Sequence, residues 1–145
     1  MLISQTAEYA LRAVVCLASH SESAMTTPKI AKITKVPSNY LSKVLQELGR
    51  ARIVRSRRGL HGGFTLESSP DELTLLEVID AVAPIQSIDK CPLDLERHGK
   101  GLCPLHKRLN YSIEMVKDVF GETTVRELLE EDPNSLPLCD NPALG

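Results

Sequence analysis

The chain predicts a mainly α-helical fold with one small β-hairpin, a winged helix-turn-helix followed by a long C-terminal dimerisation helix. Three observations carry that reading. Two short helical patterns follow one another between Thr26 and Gly49, joined by a tight turn. Two alternating segments then flank a basic glycine turn, so the run reads TTPKIAKITKVPSNYLSKVLQELGRARIVRSRRGLHGGFTL. Charge is sharply divided. Residues 26–63 hold nine basic side chains against one acidic, Glu47, a net +8, while the rest of the chain stands at −10. The overall balance of −2 hides a basic face on an acidic body. Such a face suits a polyphosphate, because each neutralised phosphate releases condensed counterions.

A first helix is expected from about Gln5 to His20, with Ala7, Ala10, Leu11, Val14, Val15 and Ala18 on one face. Cys16 inside it reads as a small buried hydrophobe. Thr27 is read as the cap of the second helix and Pro28 as its first residue, where a missing N–H costs nothing. Ile30, Ala31 and Ile33 face inward, and Val36 and Pro37 make the turn. The third helix starts near Ser38, read as its N-cap, and ends near Gly49. Leu41, Val44, Leu45 and Leu48 are its buried stripe; Asn39, Tyr40, Ser42, Lys43 and Gln46 are left outside. Ile53–Ser56 and Phe64–Leu66 alternate as strands around a wing tip of residues 57–63.

Thr74 with Glu77 signals a capping box for a fourth helix, stopped by Pro84. A loop rich in Pro, Gly, His and charge follows, to about Leu102. A long amphipathic helix then runs from about Cys103 to Phe120, with the stripe Leu105, Leu109, Ile113, Val116 and Phe120, and Met115 and Val119 beside it. Thr124 and Glu127 open a short last helix, and the Pro-containing tail is expected to be mobile. The organisation is therefore 1–84 for the winged helix-turn-helix, 85–102 for a sensor or metal loop, 103–131 for dimerisation helices and 132–145 for the tail. The long stripe fits two occupants, its own domain or its twin in a second subunit. Reading of a pseudo-palindromic site by a helix-turn-helix favours the twin.

Composition excludes several classes. Aromatics make up 3% and Trp is absent, so stacking on several bases is not the binding mode. Four cysteines in 145 residues do not make a disulfide framework. No apolar run approaches the roughly 20 residues that span a bilayer, and no signal-peptide pattern opens the chain. A cytoplasmic protein with no membrane association is expected. Cys103 and His106 have no third orienting group and no oxyanion-forming glycine motif, so an enzyme is not expected.

The candidate DNA contacts follow from the faces. Asn39 suits a bidentate pair with adenine, and Lys43 suits guanine O6 or N7, with Tyr40 and Ser42 beside them. Tyr40 also reads as partly core, and Lys43 as merely solvated. Thr27 and Ser38, at the two helix starts, complete that set. On the wing, Arg58 suits a narrowed minor groove, with Arg57 as support and His61 as a phosphate donor. A second cluster lies in the loop. Cys91, His98, Cys103 and His106 form C-x6-H-x4-C-x2-H. Two thiolates and two imidazoles suit a Rieske-like 2Fe–2S centre or a tetrahedral zinc site. Unliganded cysteines and surface histidines are the plainer reading.

The segments ISQTAEYALRAVVCLA, VPSNYLSKVLQELGRARIV, RRGLHGGFTL and LTLLEVIDAV resemble the Rrf-two (Rrf2) family of bacterial winged-helix transcription regulators, over about residues 1 to 130. The wing pattern RG-x-x-GG and the Tyr-Leu that opens the third helix are its most specific parts. The resemblance implies a homodimer built on the long helix, with DNA read by the third helix and the wing. It also implies a sensor loop, which in cluster-binding members carries C-x5-C-x5-C, with a His three residues on in one branch. Cys91, Cys103 and His106 match that pattern, but Arg97 stands where the middle cysteine would be, with His98 next to it. Arginine stays protonated and is a poor ligand. Some members supply a carboxylate at the position of Glu8, across the dimer. The expected function is a sequence-specific repressor, switched by an iron–sulfur cluster or redox state. The alternative is a cluster-free regulator controlled by a protein partner or small molecule, or one with a structural zinc site.

Overall fold

A computed structural model describes residues 2–93, 101–132 and 134. Its elements run α1 (Gln5–Ser19), α2 (Thr27–Thr34), α3 (Ser38–Arg50), β1 (Val54–Arg57), β2 (Gly63–Leu66), α4 (Leu75–Val82), α5 (Pro104–Glu122) and α6 (Val125–Glu130). The result is a mainly helical winged helix-turn-helix with a two-stranded antiparallel wing. Residues 133 and 135–145, and with them most of the tail expected to be mobile, lie outside the described residues.

α1 is the axis of the core. The Ser4 side chain caps it by accepting from the Ala7 N–H at 3.1 Å. One buried face was expected, yet Ala13 through Ala18 are all buried. The reason is tertiary: α2, α3, α4, α6 and β2 all pack on α1, so it is enclosed on several sides. Leu17, Met25, Ile30, Leu41, Leu45, Leu48, Val78 and Val125 close the core around it.

Two helix starts differ from expectation by one residue. Thr26, not Thr27, caps α2: its side chain accepts from the Lys29 N–H at 3.4 Å and its carbonyl from Ile30 at 3.0 Å. Thr27 is the first helical residue. α3 begins at Ser38, and Pro37 is its N-cap, with its carbonyl accepting from Leu41 at 2.9 Å and no side-chain cap. Ser38 is therefore inside the helix, and its own carbonyl accepts from the Ser42 hydroxyl. The turn between the helices depends on Lys35 in the left-handed region at φ 57°. At the other end, α3 runs through Gly49, and Arg52 at φ 59° makes the left-handed stop, with Ile53 N–H donating to Leu48 C=O at 3.0 Å.

The wing is a regular antiparallel pair, Val54 opposite Leu66 through Arg57 opposite Gly63. A third segment stitches it down. Met25 N–H donates to Phe64 C=O at 2.9 Å, and Phe64 N–H donates to Met25 C=O at 2.8 Å. Gly63 permits this approach. It sits at φ +140°, and a Cβ there would lie 2.5 Å from the Met25 carbonyl carbon.

Both expected capping boxes form, Thr74 with Glu77 on α4 and Thr124 with Glu127 on α6. α6 returns to the core: Val125 is fully buried, Leu75 N–H donates to Thr123 C=O, and Val125 N–H donates to Leu73 C=O. α6 thus shares the core of the winged helix, whereas none of the residues of α5 is buried.

Two glycines should respond oppositely to alanine. Gly63→Ala should lower the unfolding free energy by about 2 kcal/mol or more, because strain and a backbone clash add. Gly49→Ala, inside α3 with nothing within 4 Å of the new Cβ, should raise it by up to about 1 kcal/mol. Urea unfolding of both variants reads the difference.

Candidate functional site

α3 divides cleanly into two faces. Leu41, Val44, Leu45 and Leu48 are buried, while Ser38, Asn39, Tyr40, Ser42, Lys43, Gln46 and Arg50 are exposed. Asn39, Ser42, Lys43 and Gln46 follow one another at three- and four-residue spacing and line one side of the helix. Tyr40 borders them at 51% exposure, with its ring packed on Tyr9 at 6.2 Å between centroids. Both readings of Tyr40 therefore hold in part, since one ring face is packed and the rest is open.

The basic charge around α3 is mostly uncompensated. Arg50 pairs with Glu47 at 2.9 Å, and Arg55 with Glu67 at 3.0 Å. Among the described residues no carboxylate pairs with Lys29, Lys32, Lys35, Lys43, Arg52, Arg57 or Arg58. Arg57 closes β1, and Arg58 opens the exposed wing tip. His61 is exposed at φ 79°, beside Gly59 at φ 102°. Gly62 N–H donates to Gly59 C=O at 3.0 Å, and a Cβ on Gly62 would lie 2.5 Å from the Arg57 carbonyl oxygen. The tip is therefore a closely wound turn of defined shape. Thr27 is half-exposed at the start of α2.

The loop residues are brought together only in part. Cys103 is the N-cap residue of α5, without a side-chain cap bond, and its Sγ lies 3.1 Å from His106 Nδ1. Both are half-buried, as is Cys91. The segment before Cys91 is latched to α5. Asn110 Oδ1 accepts from the Ile88 N–H at 2.7 Å, Lys117 Nζ donates to Ser87 Oγ at 3.1 Å, and Ser87 Oγ donates to Glu114. Arg97 and His98 lie outside the described residues. Glu8 is engaged elsewhere, in an ion pair with Arg12 at 2.5 Å. Among the described residues no three His, Cys, Asp or Glu side chains converge as a metal set. One thiol and one imidazole are two donors of the four that a structural zinc or a 2Fe–2S centre takes from protein. The described residues of one chain thus do not complete such a site.

Cys16 behaves as read from sequence. It is buried beside Met25, and burial pushes its thiol up to about 11 against the opposing pull of Lys29. Sequence reading missed Tyr9 and Arg12. The Glu8–Arg12 spacing of four on a helix was the available signal.

The sequence matches the Rrf2 family, described as iron-dependent transcriptional regulators, over residues 3–131. It is 29% identical over 139 residues to a protein of Aquifex aeolicus (strain VF5) inferred to be an HTH-type transcriptional regulator, covering 94% of this chain and 96% of that one. The fold is similar to CymR (YrzC), the global cysteine regulator of B. subtilis, with TM-score 0.74, 25% identity and coverage of 91% and 98% of the two chains. It is also similar to T. potens IscR, with TM-score 0.74, 20% identity and coverage of 90% and 88%. No described helix is long and apolar enough to cross a membrane.

The cysteines should differ in reactivity. Iodoacetamide at pH 8, with a chelator present, should leave Cys16 of the native protein unmodified and alkylate Cys103, because the free thiolate is the nucleophile. In urea both should react. Peptide mass mapping before and after unfolding checks this.

Proposed function

The chain belongs to the Rrf2 family of DNA-binding transcriptional regulators, not to an enzyme family, and on that premise we propose that it works as a homodimeric repressor of a pseudo-palindromic operator. The observation that carries the reading is the uncompensated basic face that α3 and the wing present together. The exposed side of α3 enters the major groove, where Asn39 and Lys43 read base edges and Tyr40 and Ser42 contact the flanks. Arg57 and Arg58 carry the wing to the adjacent minor groove, with His61, Thr27 and Ser38 on phosphates. Repression follows from occupancy of the promoter.

α5 supplies the dimer contact. Its apolar arc has two edges. Ile113, Val116 and Phe120 are half-buried, and α4 packs against this helix. Leu105, Leu109, Met115 and Val119 are exposed, Val119 at 62%. A second copy covers that open edge and sets two reading helices about 34–36 Å apart, one turn of DNA. Each large side chain so buried contributes about 1.5–3 kcal/mol.

The switch lies in the segment from Cys91 to His106. The Cys103–His106 contact favours this reading, because it sits where the loop meets the dimer helix. A metal or a 2Fe–2S cluster held there would take its remaining ligands from Cys91, from His98, or from Glu8 of a second copy. Bound, it would hold the loop and α5 in one arrangement and bias the spacing of the reading helices by its differential stability alone. Control by a protein partner or small molecule is the second reading. It is favoured by Arg97 in place of a third cysteine and by the commitment of Glu8 to Arg12.

Three outcomes test this proposal. Lys43→Ala should cost about 1–3 kcal/mol on the selected operator and relax the preference at one base, whereas Arg57→Ala with Arg58→Ala should reduce the log–log salt slope by roughly 1 per lost phosphate contact. An unchanged slope would take the wing out of the interface. Val119→Asp should give a folded monomer by light scattering, with DNA binding weakened in parallel. Ile113→Asp, on the edge that faces its own chain, should also lower the unfolding midpoint. Anaerobically purified protein should show bound iron or zinc, and operator affinity should change on its removal. Cys91→Ser with Cys103→Ser should abolish that response. Equal affinities in all preparations would assign control to a partner or small molecule instead.

A further inference from the structure

Between α1 and the reading helix lies a bracket of side chains, of which the proposed DNA contacts use only Tyr40. Arg12 makes three contacts from one guanidinium. Its Nη2 pairs with Glu8 Oε1 at 2.5 Å, one turn earlier on α1. Its Nη1 donates to the Thr34 carbonyl at 3.4 Å, on the last residue of α2. Its central carbon lies 5.6 Å from the centroid of the Tyr9 ring. Tyr9 in turn packs on Tyr40 in the first turn of α3, with rings inclined at 59°.

These contacts grip the helix-turn-helix from both sides of its turn. The terminal carbonyls of a helix lack partners within it, and a cation there also complements the helix dipole. Arg12 thus fastens the end of α2, and Tyr9, under the same guanidinium, fastens the start of α3. Only five residues, 35–39, lie between the two anchor points Thr34 and Tyr40. Ion pairing with Glu8 holds the planar guanidinium in place. Base readout needs donors and acceptors held within about 0.5 Å, whereas attraction to phosphates tolerates looser placement.

We propose that Arg12 and Tyr9 are positioning residues that set the angle of α3 in the major groove. They touch no base and raise operator affinity above that for random DNA. The inference rests on the reading of α3 as the DNA-reading helix.

The probe is an operator selected by the wild-type protein from a pool of random-sequence duplexes. Dissociation constants for that duplex and for a random duplex are measured across a salt series. The proteins are wild type, Arg12→Ala, Arg12→Lys, Tyr9→Leu, Tyr40→Leu and the Tyr9→Leu, Tyr40→Leu double variant. Arg12→Ala and Tyr9→Leu should each lose about tenfold on the operator and nothing on the random duplex, with the salt slope unchanged. Arg12→Lys keeps the pair with Glu8 but not the fork, and should fall between. The double variant should lose no more than Tyr40→Leu alone, because both changes break one aromatic pair. Equal losses on both duplexes with a reduced slope would make Arg12 a phosphate contact and overturn the inference. An unchanged operator-to-random ratio would also overturn it. Should Arg12→Ala fail to fold, Tyr9→Leu decides. If the wild-type protein enriches no sequence, the DNA-reading proposal fails and takes the inference with it. Enrichment by wild type with unaltered ratios in the variants sinks the inference alone.

Discussion

The pairing of Met25 with Phe64 is the constraint on which the rest of the molecule depends. Two backbone hydrogen bonds join a residue just ahead of α2 to the second strand of the wing. The Met25 side chain is fully buried in the same core as Ile30 and Leu45. Wing and helix-turn-helix are therefore one rigid object rather than a helix pair with a loose hairpin. The approach requires a residue without Cβ at Gly63, which explains one of the three glycines at the tip. The other two shape the turn itself: Gly59 takes φ 102°, and Gly62 folds back over the Arg57 carbonyl. A two-stranded hairpin alone is marginal in water. Here a third segment and the core hold it.

That rigidity gives the charge distribution its meaning. Lys43 and Gln46 on α3 and Arg57 and Arg58 on the wing are anchored to the same body. For the proposed DNA contact their separation does not have to be ordered on binding, so less conformational entropy would oppose association. The few carboxylates near this face are spent locally: Glu47 on Arg50 and Glu67 on Arg55. These exposed pairs contribute little to stability. Their larger effect is to remove two positive charges from the edges of the face and leave the centre basic.

α5 stands apart energetically. Every other α-helix buries at least one side chain, and α5 buries none. A 19-residue helix is long enough to persist with one packed edge, and Asn110, Glu114 and Lys117 tie it to the segment ahead of Cys91. Its open edge and its first turn, with Cys103 and His106, belong to one rod. The residues proposed for the switch and the edge proposed for a second copy therefore share one helix.

Local chemistry was legible in the residues themselves. The capping boxes at Thr74 and Thr124, the buried stripe of α3, the wing and the basic face follow from spacings of two to four residues, and the structure shows each of them. Boundaries were legible to within a residue or so. Thr26 and Thr27 are chemically alike, and only the path of the chain out of the Met25 pairing decides which one caps. The left-handed turns at Lys35 and Arg52 were not legible, because lysine and arginine have no intrinsic preference for that region and are held there by what surrounds them. The enclosure of α1 on several sides depends on five neighbours distant in sequence. The bracket from Arg12 to Thr34 and from Tyr9 to Tyr40 spans 22 residues or more, beyond any periodicity. The sequence by itself determined the fold class, the face that carries charge and the residues available to a switch. The contacts of Cys103 with His106 and of Glu8 with Arg12 are local, three and four residues apart. The tertiary structure alone decided how distant elements meet: it carried Arg12 to Thr34, set Tyr9 on Tyr40 and turned one edge of α5 outward, because those outcomes depend on how separate elements pack and not on the chemistry of any one of them.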